Sequence, residues 1–267
     1  MKIEERTFMV AAGGEMLQVR RFWPFGSTEN SAALTLVLLH EALGSIDQWR
    51  DFPQALVAAT GIPVLAYDRC GFGGSQPLMT PRGDDFFDRE LLSLDDLLQS
   101  CRIERPVLFG HSDGATIALL FAAVYPDRTV AVISEAAHLF VEEKTLTGIR
   151  ETVQRWQNSD MRERLGRYHG EKVETVFSAW AEAWLDPAFR TWNIEKQMAR
   201  IVCPVLALQG EDDAYGTKRQ LDAIRTGVSG DSRIRLLPGC GHIPHREAKT
   251  EVLAETAAFI EKLTVGS

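Results

Sequence analysis

Residues Val107–Ala122 read VLFGHSDGATIALLFA: one apolar run passes into another through Gly110, Ser112 and Gly114. Arg105 to His111 has the length and apolar continuity of a strand buried on both faces. Gly114 to Tyr125 is too long for such a strand and reads as a helix stopped by Pro126. G-x-S-x-G at a strand-to-helix junction has a steric meaning. The turn is so tight that side chains at the glycines would collide, and it pushes the serine into the open at the helix N-terminus, where backbone N–H groups favour negative charge. Small residues at such a turn also serve packing alone, so the surrounding sequence has to decide.

Upstream, RTFMVAA and EMLQVRRFW flank Gly13-Gly14 as a hairpin, and a loop follows around residues 24–31. LTLVLLH (Leu34 to His40) is a short buried strand, Ile46 to Thr60 has helical spacing, IPVLAYD is a strand and Phe86 to Cys101 a helix. Downstream, VAVISEAA, CPVLALQG and SRIRLLPG are strands, and Arg246 to Leu263 is a closing helix. Buried strands alternating with helices predict right-handed crossovers and a mostly parallel sheet covered on both faces. Between His138 and Arg200 the strand signal disappears. This charged stretch is helical in composition and holds Trp156, Trp180, Trp184 and Trp192. It predicts a helical insertion, 138–200, over a core formed by 1–137 and 201–267.

The 267 residues carry a net charge of -8, which argues against a nucleic-acid or acidic-membrane partner and leaves a small-molecule substrate as the expectation. Cys70, Cys101, Cys203 and Cys240 show no CxxC pairing, and with six scattered histidines they make no zinc spacing, so neither metal nor cofactor is called for. MKIEERTFMV lacks the apolar run of a signal peptide, and no segment approaches eighteen apolar residues; a cytoplasmic protein is expected. Composition says nothing about oligomeric state.

A base and an acid accompany the serine. His242 follows a strand in LLPGCGHIPHRE, and Asp212 and Asp213 follow another in VLALQGEDDAYG. Both places lie at the carboxyl edge of the sheet, and the order Ser, Asp, His is the one this kind of fold uses. With these residues the chain resembles the α/β-hydrolase superfamily over almost its whole length. LLHEALGS is similar to the family's oxyanion loop, YDRCGFGGS to its Asp-x-x-Gly-x-Gly-x-Ser segment, GCGHIPHRE to its histidine loop and the helical block to its cap. GHSDGATIALLFA also resembles, more weakly, amino-acid-ester hydrolases of the valacyclovir hydrolase type.

The resemblance implies an α/β-hydrolase fold with an eight-stranded sheet and a helical cap. It implies a serine esterase with Ser112 as nucleophile, His242 as base, Asp213 as acid (third after Gly210) and the amides of Ala42 and Asp113 as oxyanion donors. Lactone or carbon–carbon bond hydrolysis, cofactor-free lyase or oxygenase chemistry, and a ligand receptor on the same fold stay open. Glu41 stands where the family has glycine. Were φ positive there it would cost about 1–2 kcal/mol, and its carboxylate either enters the pocket or bonds nearby amides. The Asp113 side chain either orients a substrate amine or caps the helix. The four tryptophans read first as core of the insertion, with Trp180 and Trp184 as candidates to face substrate. His40 and His111 read as structural hydrogen-bonders, His138 and His245 as loop residues, and Cys240 as a packed thiol.

Overall fold

The computed structural model describes residues 1–27, 34–78, 83 and 85–265, so the loop expected at 24–31 falls partly outside it. β1 (Ile3–Ala12) and β2 (Glu15–Pro24) form the expected hairpin, whose turn needs φ of 60° and 76° at Gly13 and Gly14. Then follow β3 (Thr35–Leu39), α1 (Phe52–Thr60), β4 (Val64–Tyr67), α2 (Phe86–Ser100), β5 (Pro106–His111), α3 (Asp113–Val124) and β6 (Ala131–Glu135). The chain continues through α4 (Glu143–Asn158), α5 (Met161–His169), α6 (Val173–Leu185) and α7 (Glu195–Met198). It closes with β7 (Val205–Gly210), α8 (Lys218–Gly227), β8 (Ser232–Leu237), α9 (Pro244–Glu247) and α10 (Lys249–Val265). The helix expected over Ile46–Thr60 is broken. A 3-10 turn ends at Trp49, Arg50 sits at φ 56°, and α1 restarts with Pro53 in its first turn, where a missing N–H is harmless.

The eight strands lie in the order β1-β2-β4-β3-β5-β6-β7-β8, parallel from β4 onward. Strand alternation explains how the core is divided. Leu36 and Leu38 of β3, Val107 and Phe109 of β5 and Leu206 and Leu208 of β7 share a cluster with Phe52 and Leu56 of α1 and Phe259 of α10. Val37, Leu39, Leu108, Val205 and Ala207 point the other way, against Leu94 of α2, Ile117 of α3 and Leu221 of α8. Strands buried on both faces have no polar side, which is why they read as continuous apolar runs.

The order reverses between β3 and β5, because β4 lies on one side of β3 and β5 on the other. A crevice at the carboxyl ends of strands forms at such a switch point. Here it is bounded by the loop after β3 and the turn after β5. Residues 138–200 hold α4 to α7 and, among the described residues, no extended structure beyond a Phe140–Asn193 bridge. α4, α5 and α6 close over the crevice: Ile149, Leu165, Val176 and Phe177 pack in one cluster with Ala42, Leu43 and Phe72 from the loops below. α7 instead contacts α3 and α8. No helix among the described residues is long and apolar enough to cross a membrane.

Candidate active site

Ser112 links β5 to α3 at φ 52° and ψ -115°, a region that costs a non-glycine residue energy and persists only where its neighbours enforce it. The enforcement is visible. The Ser112 amide donates to Glu135 O at 2.8 Å, and the Ser112 carbonyl accepts from Ala115 N and Thr116 N as the first turn of α3. A Cβ on Gly110 would lie 2.2 Å from Gly114 O, and one on Gly114 would lie 2.1 Å from Leu39 O. Both glycines are therefore required by close backbone approach. At this helix position a serine usually caps an amide with its hydroxyl, but Ser112 makes no such bond. Its Oγ–H donates to His242 Nε2 at 3.0 Å, and His242 Nδ1–H donates to Asp213 Oδ1 at 2.8 Å.

The loop after β7 is built to hold Asp213. The residue is fully buried; Oδ1 also accepts from Tyr215 N at 2.8 Å and Gly216 N at 3.3 Å, and Oδ2 from Gln209 Nε2 at 3.2 Å. Burial opposes ionisation, yet the His242 charge and these donors outweigh it and hold the carboxyl well below the usual carboxylate range. Asp212 is exposed, and its amide donates to Cys240 O. Burial would depress His242, but Asp213, through charge and hydrogen bond, raises it above 6.5. A base of raised pKa loses its neutral form as pH falls through that value. The acid limb of kcat/KM against pH should therefore have its midpoint above 6.5; a pH profile of ester hydrolysis checks this, and a midpoint below 6.5 would mean that burial wins over Asp213.

The loop after β3 is fixed by Glu41. Its carbonyl accepts from His40 Nδ1, Arg69 Nη2 and Gly44 N at 2.7, 3.0 and 3.0 Å, and its Oε2 accepts from Leu43 N at 2.6 Å. Among the described non-glycine residues only Arg50, Arg102, Ser112 and Ala136 have positive φ, so Glu41 carries no left-handed strain. Burial pushes its carboxyl up towards the neutral form, which lessens repulsion of an anion forming nearby. Ala42 is buried on the cavity wall beside Ser112, and its amide makes no hydrogen bond among the described residues. Asp113, the first residue of α3, borders the same cavity. Its carboxylate serves neither of the two expected readings in isolation: Oδ2 lies 3.4 Å from both Nη1 and Nη2 of the fully buried Arg69, which also reaches Glu90 Oε1 at 3.3 Å.

Ser112 and His242 open into a cavity of about 420 Å³ with largely apolar walls, including Leu43, Ile149, Leu165, Trp180 and Trp184. Trp180 and Trp184 are thus both on the wall, whereas Trp156 stacks on Phe177 at 4.0 Å and Trp192 on Phe189 at 5.1 Å. His40 is structural, taking a hydrogen bond from Arg69 N on Nε2. Burial pushes the Cys240 thiol up to about 12, so it supplies no thiolate.

His138 lies in a loop, as expected, whereas His245 lies in α9, and both are buried and bonded. His138 Nε2 pairs with Tyr215 O at 3.2 Å. His245 Nδ1 lies 2.5 Å from Glu135 Oε2, and burial raises the carboxyl to about 7 and lowers the imidazole to about 3. His111, likewise kept neutral by burial, donates from Nε2 to His242 O at 2.8 Å. The ligand atoms of His111, Glu135 and His245 lie within 4.8 Å of one another, a spacing a cation could bridge; here Glu135 bonds His245, and His111 bonds the His242 carbonyl. Tyr215, whose ring lies 4.6 Å from the His242 ring, is a further site residue that sequence reasoning missed. No local signal marks its side chain, whose hydroxyl meets Thr152 and Arg155 on α4.

Residues 35–200 match a family model described as alpha/beta hydrolase fold. Serine hydrolase BPHL of Homo sapiens is 29% identical over 191 residues, 68% of this chain; the chain spans 64% of that relative's length. The 2-succinyl-6-hydroxy-2,4-cyclohexadiene-1-carboxylate synthase of Enterobacter sp. (strain 638) is 30% identical over 202 residues, 75% of this chain and 69% of that one. Among solved structures, a 2-hydroxy-6-oxo-6-phenylhexa-2,4-dienoate hydrolase from Rhodococcus sp. superposes with a TM-score of 0.76 over 96% of this chain and 99% of its own, at 17% identity, a likeness of fold.

Proposed function

The chain belongs to the α/β-hydrolase family, and on that premise we propose that it is a serine hydrolase cleaving a small carboxylic ester through an acyl-Ser112 intermediate. The observation that carries this reading is the hydrogen-bonded line from Ser112 Oγ through His242 to buried Asp213, opening into one cavity. Ser112 Oγ attacks the ester carbonyl while His242 Nε2 takes its proton, and Asp213 stabilises the imidazolium that results. The amides of Ala42 and Asp113 receive the oxyanion, each such donor being worth about 10²- to 10³-fold in rate. His242 then protonates the departing alcohol, and a water activated by the same imidazole releases the acid.

The amino-acid-ester variant of this reading loses support at Asp113. The Asp113 carboxylate is tied to the buried Arg69 guanidinium, which also holds Glu90, and Glu41, the next acid on the wall, is bonded to Leu43 N, so neither is set to receive a substrate ammonium. A fluorophosphonate probe tests the central claim. It should label the peptide containing Ser112, and short acyl esters should turn over faster than lactones or β-diketone acids. An unlabelled serine together with no ester turnover would sink the reading.

A further inference from the structure

We infer that Arg155 is a specificity residue that selects esters carrying a carboxylate; this deepens the serine-hydrolase reading and rests on it. Arg155 stands in the last turn of α4 and lines the cavity that holds Ser112 and His242. Thr152 donates its hydroxyl to Gly148 O at 2.9 Å, which leaves Thr152 Oγ1 as acceptor for the Tyr215 hydroxyl at 2.6 Å. Arg155 Nη2 then donates to Thr152 Oγ1 at 2.7 Å and to Tyr215 Oη at 3.3 Å. One nitrogen of the guanidinium is thereby oriented by two neutral oxygens, and among the described residues no carboxylate forms an ion pair with Arg155. The remaining N–H groups form the planar fork that suits a carboxylate.

The other charges on the wall are engaged. Asp113 is tied to Arg69, which also holds Glu90, and Glu41 is bonded to Leu43 N. Glu247 accepts from Gly241 N at 2.7 Å and from Ile243 N at 3.0 Å. Arg164 of α5 adds a second cation to the same wall, in a long 3.5 Å contact with exposed Asp160. Arg155 and Arg164, both exposed, are thus the cations of the wall without a buried carboxylate partner among the described residues. The Tyr215 ring links Arg155 to the base, since it packs on His242 while its hydroxyl meets the guanidinium. A substrate fits with its reacting carbonyl at Ser112, its apolar stem along Leu43, Ile149 and Trp180, and its carboxylate at Arg155.

Two matched pairs test this: 4-nitrophenyl hydrogen adipate against 4-nitrophenyl hexanoate for a carboxylate on the acyl side, and 4-carboxybenzyl acetate against 4-methylbenzyl acetate for one on the alcohol side. The readout is the kcat/KM ratio of anionic to neutral ester, so any general damage cancels. In the wild type the ratio in at least one pair should exceed about tenfold, the low end of what a charge-assisted hydrogen bond supplies. It should fall towards unity in Arg155→Gln, survive in part in Arg155→Lys and shrink with added salt. Wild-type ratios near unity in both pairs, or a ratio that Arg155→Gln leaves intact, overturn the carboxylate assignment while the hydrolase reading stands. No turnover of any of the four esters tells against the hydrolase reading itself.

Discussion

Replacing Ser112 with alanine should lower kcat for 4-nitrophenyl acetate by about 10⁶-fold, the loss expected when the nucleophile of a serine–histidine pair is removed. The expectation comes from what Ser112 does not do. Its hydroxyl caps no helix amide, and among the described residues its only hydrogen bond is to His242, so the side chain makes no structural contribution there that alanine would forfeit. The strain at φ 52° belongs to the backbone and is inherited by alanine, held by the Glu135 carbonyl and by the Gly110 and Gly114 approaches. Urea unfolding should therefore give a nearly unchanged midpoint beside the lost activity. A residual rate of roughly 10³- to 10⁴-fold over water is the share the oxyanion amides and binding supply on their own. A variant within tenfold of wild type would mean that another group attacks.

The features legible in the sequence are those encoded by local period and spacing. β3, β5 and β7 announce themselves because each is buried on both faces, and the turn at Ser112 because backbone crowding at Gly110 and Gly114 leaves only glycine. Spacing alone left Asp212 and Asp213 open; the family resemblance, which implies an acid third after Gly210, chose Asp213, and the structure puts that residue within reach of His242 and Asp212 in solvent. What stayed hidden depends on partners far along the chain. Asp113 meets Arg69 across 44 positions, His245 meets Glu135 across 110, and Tyr215 meets Thr152 across 63. No periodicity reports such pairs. Glu41 is a different case: its family position left open a strained backbone or another loop path, and a carboxylate in the pocket or on nearby amides; the loop takes a path that needs no positive φ and the carboxylate bonds Leu43 N. The serine, histidine and acid motifs are local, whereas the polarity of the cavity is set by tertiary contacts, Asp113 with Arg69 and Tyr215 with Thr152 and Arg155 of α4.

Asp213→Ala should lower kcat by about 10⁴-fold, as when the acid of a triad is removed outright, whereas Asp213→Asn should cost much less. The difference follows from the donors around the carboxylate. Tyr215 N and Gly216 N both point at Oδ1, the atom that also takes the His242 proton, so an asparagine cannot put its NH₂ there without opposing two amides. Its carbonyl oxygen must take that place and the NH₂ must face Gln209, whose own Oε1 is buried without a partner and can accept once the Gln209 amide turns over. His242 then keeps its Nδ1–H tautomer and loses only the negative charge. Replacing a charge-assisted hydrogen bond by a neutral one costs at most about 1.5–3 kcal/mol, or roughly 10- to 150-fold. The same substitution should lower the acid limb of the kcat/KM profile, because the charge that raises His242 is gone. Asp212→Asn should leave both quantities near wild type, since that side chain is in solvent. Steady-state kinetics of the three variants across pH decides it. A loss in Asp213→Asn as large as in Asp213→Ala would mean that the amide enters the other way round and inverts the tautomer, and a larger loss in Asp212→Asn would move the acid by one residue.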